Sequence, residues 1–226
     1  TFHYADEAAI RCWDDHIRIS NNILHGYYGI VYKGNDCFSA EHNRFTVNKV
    51  GVLVQPNPAT DVVINGNTFA RGTTPAGDAS GIYLTNVRGA VVSGNVASGF
   101  IDNNGLGGSN LTNIQALDND FSANKKGVNF WGNTTFVTIA GNDLTGNSVM
   151  GINVKGQDIV IRNNRVSGNG TGIEIAKHTL NTERVTITEN DLSGNTTVGL
   201  SVTGDVSETV DASANWWGTS DPAGVK

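Results

Sequence analysis

The sequence lacks the signals of several large classes of protein. Its two cysteines show no zinc-ligand spacing, and no P-loop, nucleophile elbow or dinucleotide-binding fingerprint occurs. Helical spacing of apolar residues nowhere persists, and no apolar run approaches the roughly 18 residues that a membrane helix needs. The 15 basic residues are scattered through a chain of formal net charge -6. We therefore expect neither a nucleic acid partner nor a membrane span.

Glycine and asparagine are abundant instead. The 226 residues include 28 Gly and, by count, 28 Asn. Both residue types are common in turns, where glycine supplies unusual backbone angles and asparagine bonds to nearby backbone. Their excess without low-complexity tracts favours many short strands joined by many turns.

One short pattern recurs along the whole chain. The stretch "VTIAGNDLTGN", which begins at Val137, returns as "VTITENDLSGN" from Val185. Its core is an asparagine with apolar residues five and three positions before it and two positions after it. The pattern occurs nine times at intervals of 21 to 28 residues, with a mean of about 24, at Asn22, Asn43, Asn67, Asn95, Asn119, Asn142, Asn164, Asn190 and Asn215.

A second signature lies between these asparagines. It is a glycine followed by apolar residues one and three positions later, and such alternation predicts half-buried strands. The stretch "GLGG" at Gly105 is its weakest example. The clear examples start at Gly29, Gly51, Gly81, Gly127, Gly151, Gly172 and Gly199.

Strands this short cannot close a core one winding at a time. Stacked windings, each about 4.8 Å above the last, bury continuous columns of apolar side chains over a length of roughly 40 Å. We expect each anchor asparagine to adopt strained backbone angles at a bend and to bond its counterparts above and below. A second ladder is predicted five residues later, at Asn48, Asn124, Asn147, Asn169 and Asn195.

This repeat resembles the right-handed parallel β-helix of pectate lyase-like enzymes, phage tailspikes and many bacterial surface proteins. The resemblance predicts an all-β solenoid of about nine coils of ~24 residues, forming a single domain over residues 1–226. The segment "NWWG" at Asn215 is similar to segments that close β-helix repeats in bacterial extracellular proteins. We expect residues 211–226 to close the last coil and the chain to start within a coil at Thr1.

Acidic residues recur at one turn near the start of the chain. Asp15 and Asp36 fall at the same position of consecutive coils, and His16, Cys37 and Asp61 fall at the next position. Stacked carboxylates repel unless they share a proton or a cation. The three aspartates are therefore candidate ligands for a hard cation such as Ca²⁺, with solvated turn carboxylates as the alternative and no cofactor as the default expectation.

A second group is predicted on the outer side of the glycine strands. Asn129, Asn153 and Glu174 should form one column, with Trp131 and Lys155 in the next. An aromatic ring beside amides and charges is typical of a carbohydrate-binding face, although an exposed solenoid face of mixed charge has the same composition.

Two functional hypotheses follow from the residues and the resemblance. One is a structural or adhesive segment of an extracellular or cell-surface protein, which binds polysaccharide or stacks end to end with further copies. The other is a polysaccharide lyase, hydrolase or epimerase acting in a groove on the β-helix, for which the candidate catalytic residues are His16, Lys155 and Glu174. No catalytic cluster is dense enough to make the chain an enzyme on sequence grounds.

Overall fold

The computed structural model of the protein describes residues 8–56, 58–73, 77–176, 184–203 and 210–220. Within these residues no helix is long and apolar enough to cross a membrane. The predicted start within a coil at Thr1 lies outside the described residues. The strands are β1 (Ala8–Cys12), β2 (Ile17–Ser20), β3 (Ile23–Tyr32), β4 (Asp36–Glu41), β5 (Arg44–Val54), β6 (Thr60–Asn65), β7 (Thr68–Arg71), β8 (Ser80–Thr85), β9 (Arg88–Ser93), β10 (Val96–Ala97), β11 (Asn104–Ser109), β12 (Thr112–Leu117), β13 (Lys126–Ala140), β14 (Met150–Arg162), β15 (Thr171–Ile175), β16 (Val185–Thr188) and β17 (Val198–Val202).

The strands form a parallel solenoid with three faces. Each strand pairs with the equivalent strand one winding away, and every described ladder between named strands is parallel. The glycine strands make one face and the strands that lead to the anchor asparagines make another. A third, short face consists of β7, β10, the first halves of β3 and β5, and single bridges further along.

The predicted apolar columns are present and in register. One column runs through Ile30, Val52, Ile82, Leu106, Val128, Ile152, Ile173 and Leu200, each paired with the next. Leu106 of the weak "GLGG" stretch is fully buried in it. The core therefore extends through every winding, because each inward side chain packs against its counterparts above and below.

A ladder of buried asparagines links the windings, as predicted. Asn142 is typical: its Oδ1 accepts hydrogen bonds of 2.9 Å from both the backbone N–H and the Nδ2 of Asn119. Its own Nδ2 donates to the carbonyl oxygens of Ala116 at 2.9 Å and Ala140 at 3.0 Å. Asn142 is 2% exposed, so its amide has no access to water, and these bonds replace the hydrogen bonds that it would make to water in the unfolded chain.

The backbone strain lies beside the ladder rather than on it. The expectation that the anchor asparagine adopts strained angles is wrong, because the left-handed conformation falls on the preceding residue, such as Asp118 at φ 54° or Asn163 at φ 55°. A second left-handed row lies six residues before each described anchor from Asn22 to Asn190. Its members are His16, Cys37, Asp61, Gly89, Asn113, Phe136, Asp158 and Arg184.

The second asparagine ladder is shorter than predicted. The backbone N–H groups of Asn124, Asn147 and Asn169 bond the Oδ1 atoms of the next asparagines, ending at Asn195. Asn48 is not part of this series, because Gly72 and Phe100 occupy the equivalent positions of the two windings between it and Asn124.

The glycines of the second signature allow close approach between faces. A Cβ at Gly81 would lie 2.6 Å from the Cβ of Ala97 and 2.8 Å from the carbonyl oxygen of Gly105. Both distances are shorter than van der Waals contact, so only glycine permits this packing.

Replacing an interior ladder residue should destabilise the solenoid. Asn142→Ala removes five side-chain hydrogen bonds, so buried donors of Asn119 lose their acceptor and we expect a loss of about 2 to 4 kcal/mol in the free energy of unfolding. Asn133→Ala, at an exposed position, is the matched control and should change stability by less than about 0.5 kcal/mol. Urea unfolding followed by circular dichroism measures both, and equal losses would contradict a structural role for the ladder.

Candidate functional site

A groove runs along the outer side of the glycine-strand face. It encloses about 380 Å³ and draws residues from β3, β5, β8, β11 and β13 and from the segments beside them. These five strands are consecutive in the stack, so the groove spans about 19 Å along the solenoid axis at about 4.8 Å per winding. We call it the aromatic groove, lined by Tyr28, Lys49, Val50, Leu53, Gln55, Asp78, Ser80, Tyr83, Asn103, Asn104, Asn129 and Trp131.

The floor of the aromatic groove is apolar. Val50 and Leu53 belong to a small hydrophobic cluster outside the main core, and the rings of Tyr28 and Tyr83 pack against it. This cluster forms because outward positions of neighbouring strands carry apolar side chains in adjacent windings. An apolar floor beneath aromatic rings suits a ligand with one apolar face.

Two aromatic rings shape the far end of the groove. The ring of Tyr83 lies over Gly107, where a Cβ would come within 2.9 Å of Tyr83 Cδ2. Burial raises the pKa of the Tyr83 hydroxyl, while hydrogen bonds with the side chains of Trp131 and Ser109 act in the opposite direction. Trp131 is still 46% exposed, so its ring remains accessible to a ligand.

Two buried polar atoms in the groove have no hydrogen-bond partner among the described residues. They are the Oγ of Ser80 and the Oδ1 of Asn104, in side chains that are 0% and 1% exposed. An unpaired buried polar atom costs about 1 to 3 kcal/mol. A ligand that supplies a hydrogen-bond donor to Asn104 would recover part of that cost.

The structure brings together part of the predicted carbohydrate-binding set. Asn129 and Trp131 line the aromatic groove, and Asn153 donates from Nδ2 to Asn129 Oδ1 at 2.8 Å. Glu174 pairs in register with Asn153 one winding further on. The register between β13 and β14 shifts after Phe130, at the position of Trp131. Lys155, which is half-buried, therefore does not pair with Trp131 in a regular column as predicted.

Several groove residues were missed at the level of the sequence. Tyr28, Ser80 and Asn104 all directly precede a signature glycine, and Tyr83 lies two positions after one. Both positions point outward, so reading the outward columns as carefully as the inward ones would have found them. Lys126 pairs with Asn104 but does not line the groove. Burial lowers the pKa of Lys126, and the charge of Glu174 opposes that shift.

The predicted acidic turn contains a mixed cluster of metal-binding side chains. One donor atom each from His16, Asp36 and Cys37 lie within 4.8 Å of one another. His16, Cys37 and Asp61 share a row, as predicted, and all three are left-handed, with φ of 61°, 51° and 51°. A shallow groove of about 280 Å³ runs beside them and is lined by His16, Cys37, Asp61 and five neighbours. We call His16, Asp36 and Cys37 the turn cluster.

The stacked carboxylates at this turn are held by hydrogen bonds. Asp15 Oδ1 accepts from the backbone N–H of Asp36 at 2.9 Å and from that of Asn35 at 2.5 Å. Asp36 Oδ1 accepts from Thr60 Oγ1 at 2.6 Å and from the backbone N–H of Cys37 at 2.9 Å. Hydrogen-bond donors of the turn therefore stabilise both carboxylates. The bond from Thr60 holds the pKa of Asp36 below its usual value, so this carboxyl stays ionised near neutral pH.

The Cys37 thiol lies in negative surroundings. Desolvation is the largest cause that raises the pKa of the Cys37 thiol. The hydrogen bond to Asp36 and the charges of Asp36, Asp61 and Asp15 raise this pKa further. The thiol is therefore protonated at neutral pH. The same carboxylates attract cations, and a metal ion that binds the sulfur displaces its proton. Cys12 is also a free thiol, half-buried against the core.

The three candidate catalytic residues do not converge on one site. His16 lies in the turn cluster. Lys155 lies in β14 and Glu174 in β15, which are six and seven windings further along the solenoid. At about 4.8 Å per winding, His16 and Lys155 are roughly 29 Å apart along the axis.

The fold and the comparisons with protein families agree. The family described as right handed beta helix region matches residues 76–215, which is more than half of the chain. This chain belongs to the right-handed β-helix family. No curated protein and no solved structure matches this β-helix at a significant level. The resemblance to pectate lyase-like enzymes and the closing role of the NWWG segment stay predictions.

A second family matches the first part of the β-helix. It is described as periplasmic copper-binding protein (NosD), and the match covers residues 5–107. The turn cluster lies in this part and fits a copper ion, because thiolate and imidazole are copper ligands. Its donor atoms lie no more than 4.8 Å apart, so one ion with bonds of about 2.3 Å can lie between them. Ca²⁺ prefers six to eight oxygen ligands, so the mixed donor set fits that predicted cation less well.

The charge around Cys37 should control its reactivity. Asp61→Asn removes a carboxylate that raises the pKa of Cys37 and keeps a residue that tolerates the left-handed conformation. More thiolate then forms at neutral pH, so alkylation of Cys37 by iodoacetamide should be faster than in the unchanged protein. Mass spectrometry follows both cysteines, and the rate at Cys12 serves as the internal control. An unchanged rate at Cys37 would contradict the electrostatic influence of Asp61.

Proposed function

We propose that this β-helix binds neutral oligosaccharide chains in the aromatic groove. The observation that carries the proposal is the combination, in one outward groove, of accessible aromatic rings with the unpaired polar atoms of Ser80 and Asn104. A sugar ring has an apolar face that packs on an aromatic side chain and hydroxyl groups that donate to buried acceptors.

The shape of the groove favours a chain of sugars over a single one. Its lining residues come from five consecutive windings, and about 19 Å along the axis exceeds what one monosaccharide fills. Tyr28 lies at one end and Trp131 at the other. Successive units of one oligosaccharide would therefore contact different aromatic rings.

The charge of the groove favours neutral sugars over uronates. Lys49 and Asp78 are the only charged residues in its described lining, and their formal charges cancel. The Nζ of Lys49 donates to the carbonyl oxygen of Gly77 at 2.8 Å, so it is already engaged at the rim. A chain of carboxylates would find no excess of positive charge here.

A location outside the cytoplasm is consistent with this role. The NosD family that matches the first part of the chain is described as periplasmic, which supports a location outside the cytoplasm. Polysaccharide and the ends of further β-helix copies are the partners we propose there.

Truncation of one aromatic ring should weaken sugar binding. Trp131→Ala removes a stacking surface, and we expect the affinity for neutral hexasaccharides to fall about tenfold, equivalent to about 1.4 kcal/mol. Trp216→Ala is the matched control, because Trp216 is 53% exposed and lies outside the groove. Isothermal titration calorimetry with gluco-, manno- and chito-oligosaccharides of two to six units measures the effect. Affinity should rise with length, and a preference for oligogalacturonates over all neutral series would overturn the proposal.

Copper binding is a second candidate function, favoured by the donor atoms of the turn cluster within the part of the chain that the NosD family matches. We infer that the chain binds one copper ion. Equilibrium dialysis against Cu⁺ under anaerobic conditions, followed by elemental analysis, should give a ratio of about one copper per chain. A ratio below about 0.1 would contradict this candidate and leave the sugar-binding groove unaffected.

A further inference from the structure

We propose that the turn cluster is a site for a soft monovalent ion, Cu⁺, whose principal ligand is the Cys37 thiolate, with His16 and Asp36 as the other ligands. The proposal deepens the second candidate function and rests on it. It assigns the ligands and the oxidation state, which the description of the NosD family does not give.

The donor types select the ion. A thiolate is a soft ligand that favours Cu⁺, and an imidazole binds copper in either oxidation state. Cu²⁺ prefers four nitrogen or oxygen donors in a tetragonal arrangement, and the described residues bring together one sulfur, one imidazole and one carboxylate. The set therefore matches the monovalent ion better.

The hydrogen bonds of the turn leave these donors available. The bonds from Thr60 and from the backbone N–H of Cys37 both go to Oδ1 of Asp36. The third bond to this carboxylate comes from the Cys37 thiol, whose proton a cation would displace. The backbone N–H of His16 donates to the carbonyl oxygen of Asp36 at 3.2 Å, so the turn is fixed without using the imidazole. The turn is thus held by backbone bonds and by the Thr60 hydroxyl, with the Cys37 thiol bonded to the Asp36 carboxylate beside it.

The left-handed row places the donors side by side. The fold imposes this conformation on the residue six positions before each described anchor from Asn22 to Asn190, including Gly89, Asn113 and Phe136 in later windings. The first three windings differ because the row there carries His16, Cys37 and Asp61. Cys37 holds this conformation at φ 51°, as Phe136 does at φ 57° in a later winding, so the side chains and not the backbone distinguish the first windings.

The surroundings favour a cation and give it access. Asp15 and Asp61 flank the cluster, and their charges act on the Cys37 thiol. The shallow groove beside the cluster opens to solvent along His16 and Asp61, both of which are exposed. A cation can therefore reach the thiol without movement of the backbone.

Competition for Cu⁺ tests the ligand assignment. The full chain is titrated anaerobically into the Cu⁺ complex of bicinchoninate, and loss of its colour reports transfer of the ion. We expect Cys37→Ser to lower the Cu⁺ affinity by about 100-fold or more and His16→Asn by about tenfold. His42→Asn is the matched control, because His42 is also exposed and left-handed, with φ 55°, but lies outside the cluster. Cys12→Ser is the control for the second thiol.

A second readout does not depend on the chelator. Cu⁺ should protect Cys37, but not Cys12, from iodoacetamide, and Ag⁺ should protect it in the same way. Circular dichroism verifies that each variant is folded. If the chain binds Cu⁺ and Cys37→Ser binds it equally well, the ligand assignment is overturned while copper binding survives. If the unchanged chain binds no Cu⁺, both are overturned.

Discussion

Each winding of this protein is tied to the next by buried asparagine amides that bond one another in register. The Oδ1 of one anchor accepts from the backbone and side chain of the anchor before it, and its Nδ2 donates to carbonyl oxygens at the same bend. A slip of one residue would turn every inward side chain outward and break these bonds at once. The register of the whole solenoid follows from this ladder and from the apolar columns that lie beside it.

The outward surface inherits its order from the same register. Because equivalent positions stack about 4.8 Å apart, residues that are some 20 to 30 positions apart in sequence become neighbours. The aromatic groove arises where outward positions carry Tyr28, Leu53, Tyr83 and Trp131, and the turn cluster arises where one left-handed row carries His16 and Cys37. A rigid scaffold of this kind holds both sites without a dedicated loop.

The sequence predicted the fold well because its determinants repeat. The same pattern occurs at nine anchors, so its regular spacing predicts a strand at the weak "GLGG" stretch at Gly105 even though that stretch alone does not. The left-handed row was not predicted, because His16, Cys37, Asp61 and Phe136 share a backbone conformation but no side-chain property. The groove was found only in part, since its lining depends on how side chains fold over one another, as Tyr83 does over Gly107.

Disulfide trapping measures the register most directly. In a background without Cys12 and Cys37, Thr138→Cys is combined with Val160→Cys, its outward partner one winding away. In-register stacking places these positions about 4.8 Å apart, within the range that a disulfide spans, so the pair should oxidise readily to a folded monomer. Thr138→Cys with Arg162→Cys, two residues out of register, should not form the bond. Preferential bridging of the second pair would contradict the stacking on which the ladder, the groove and the turn cluster depend.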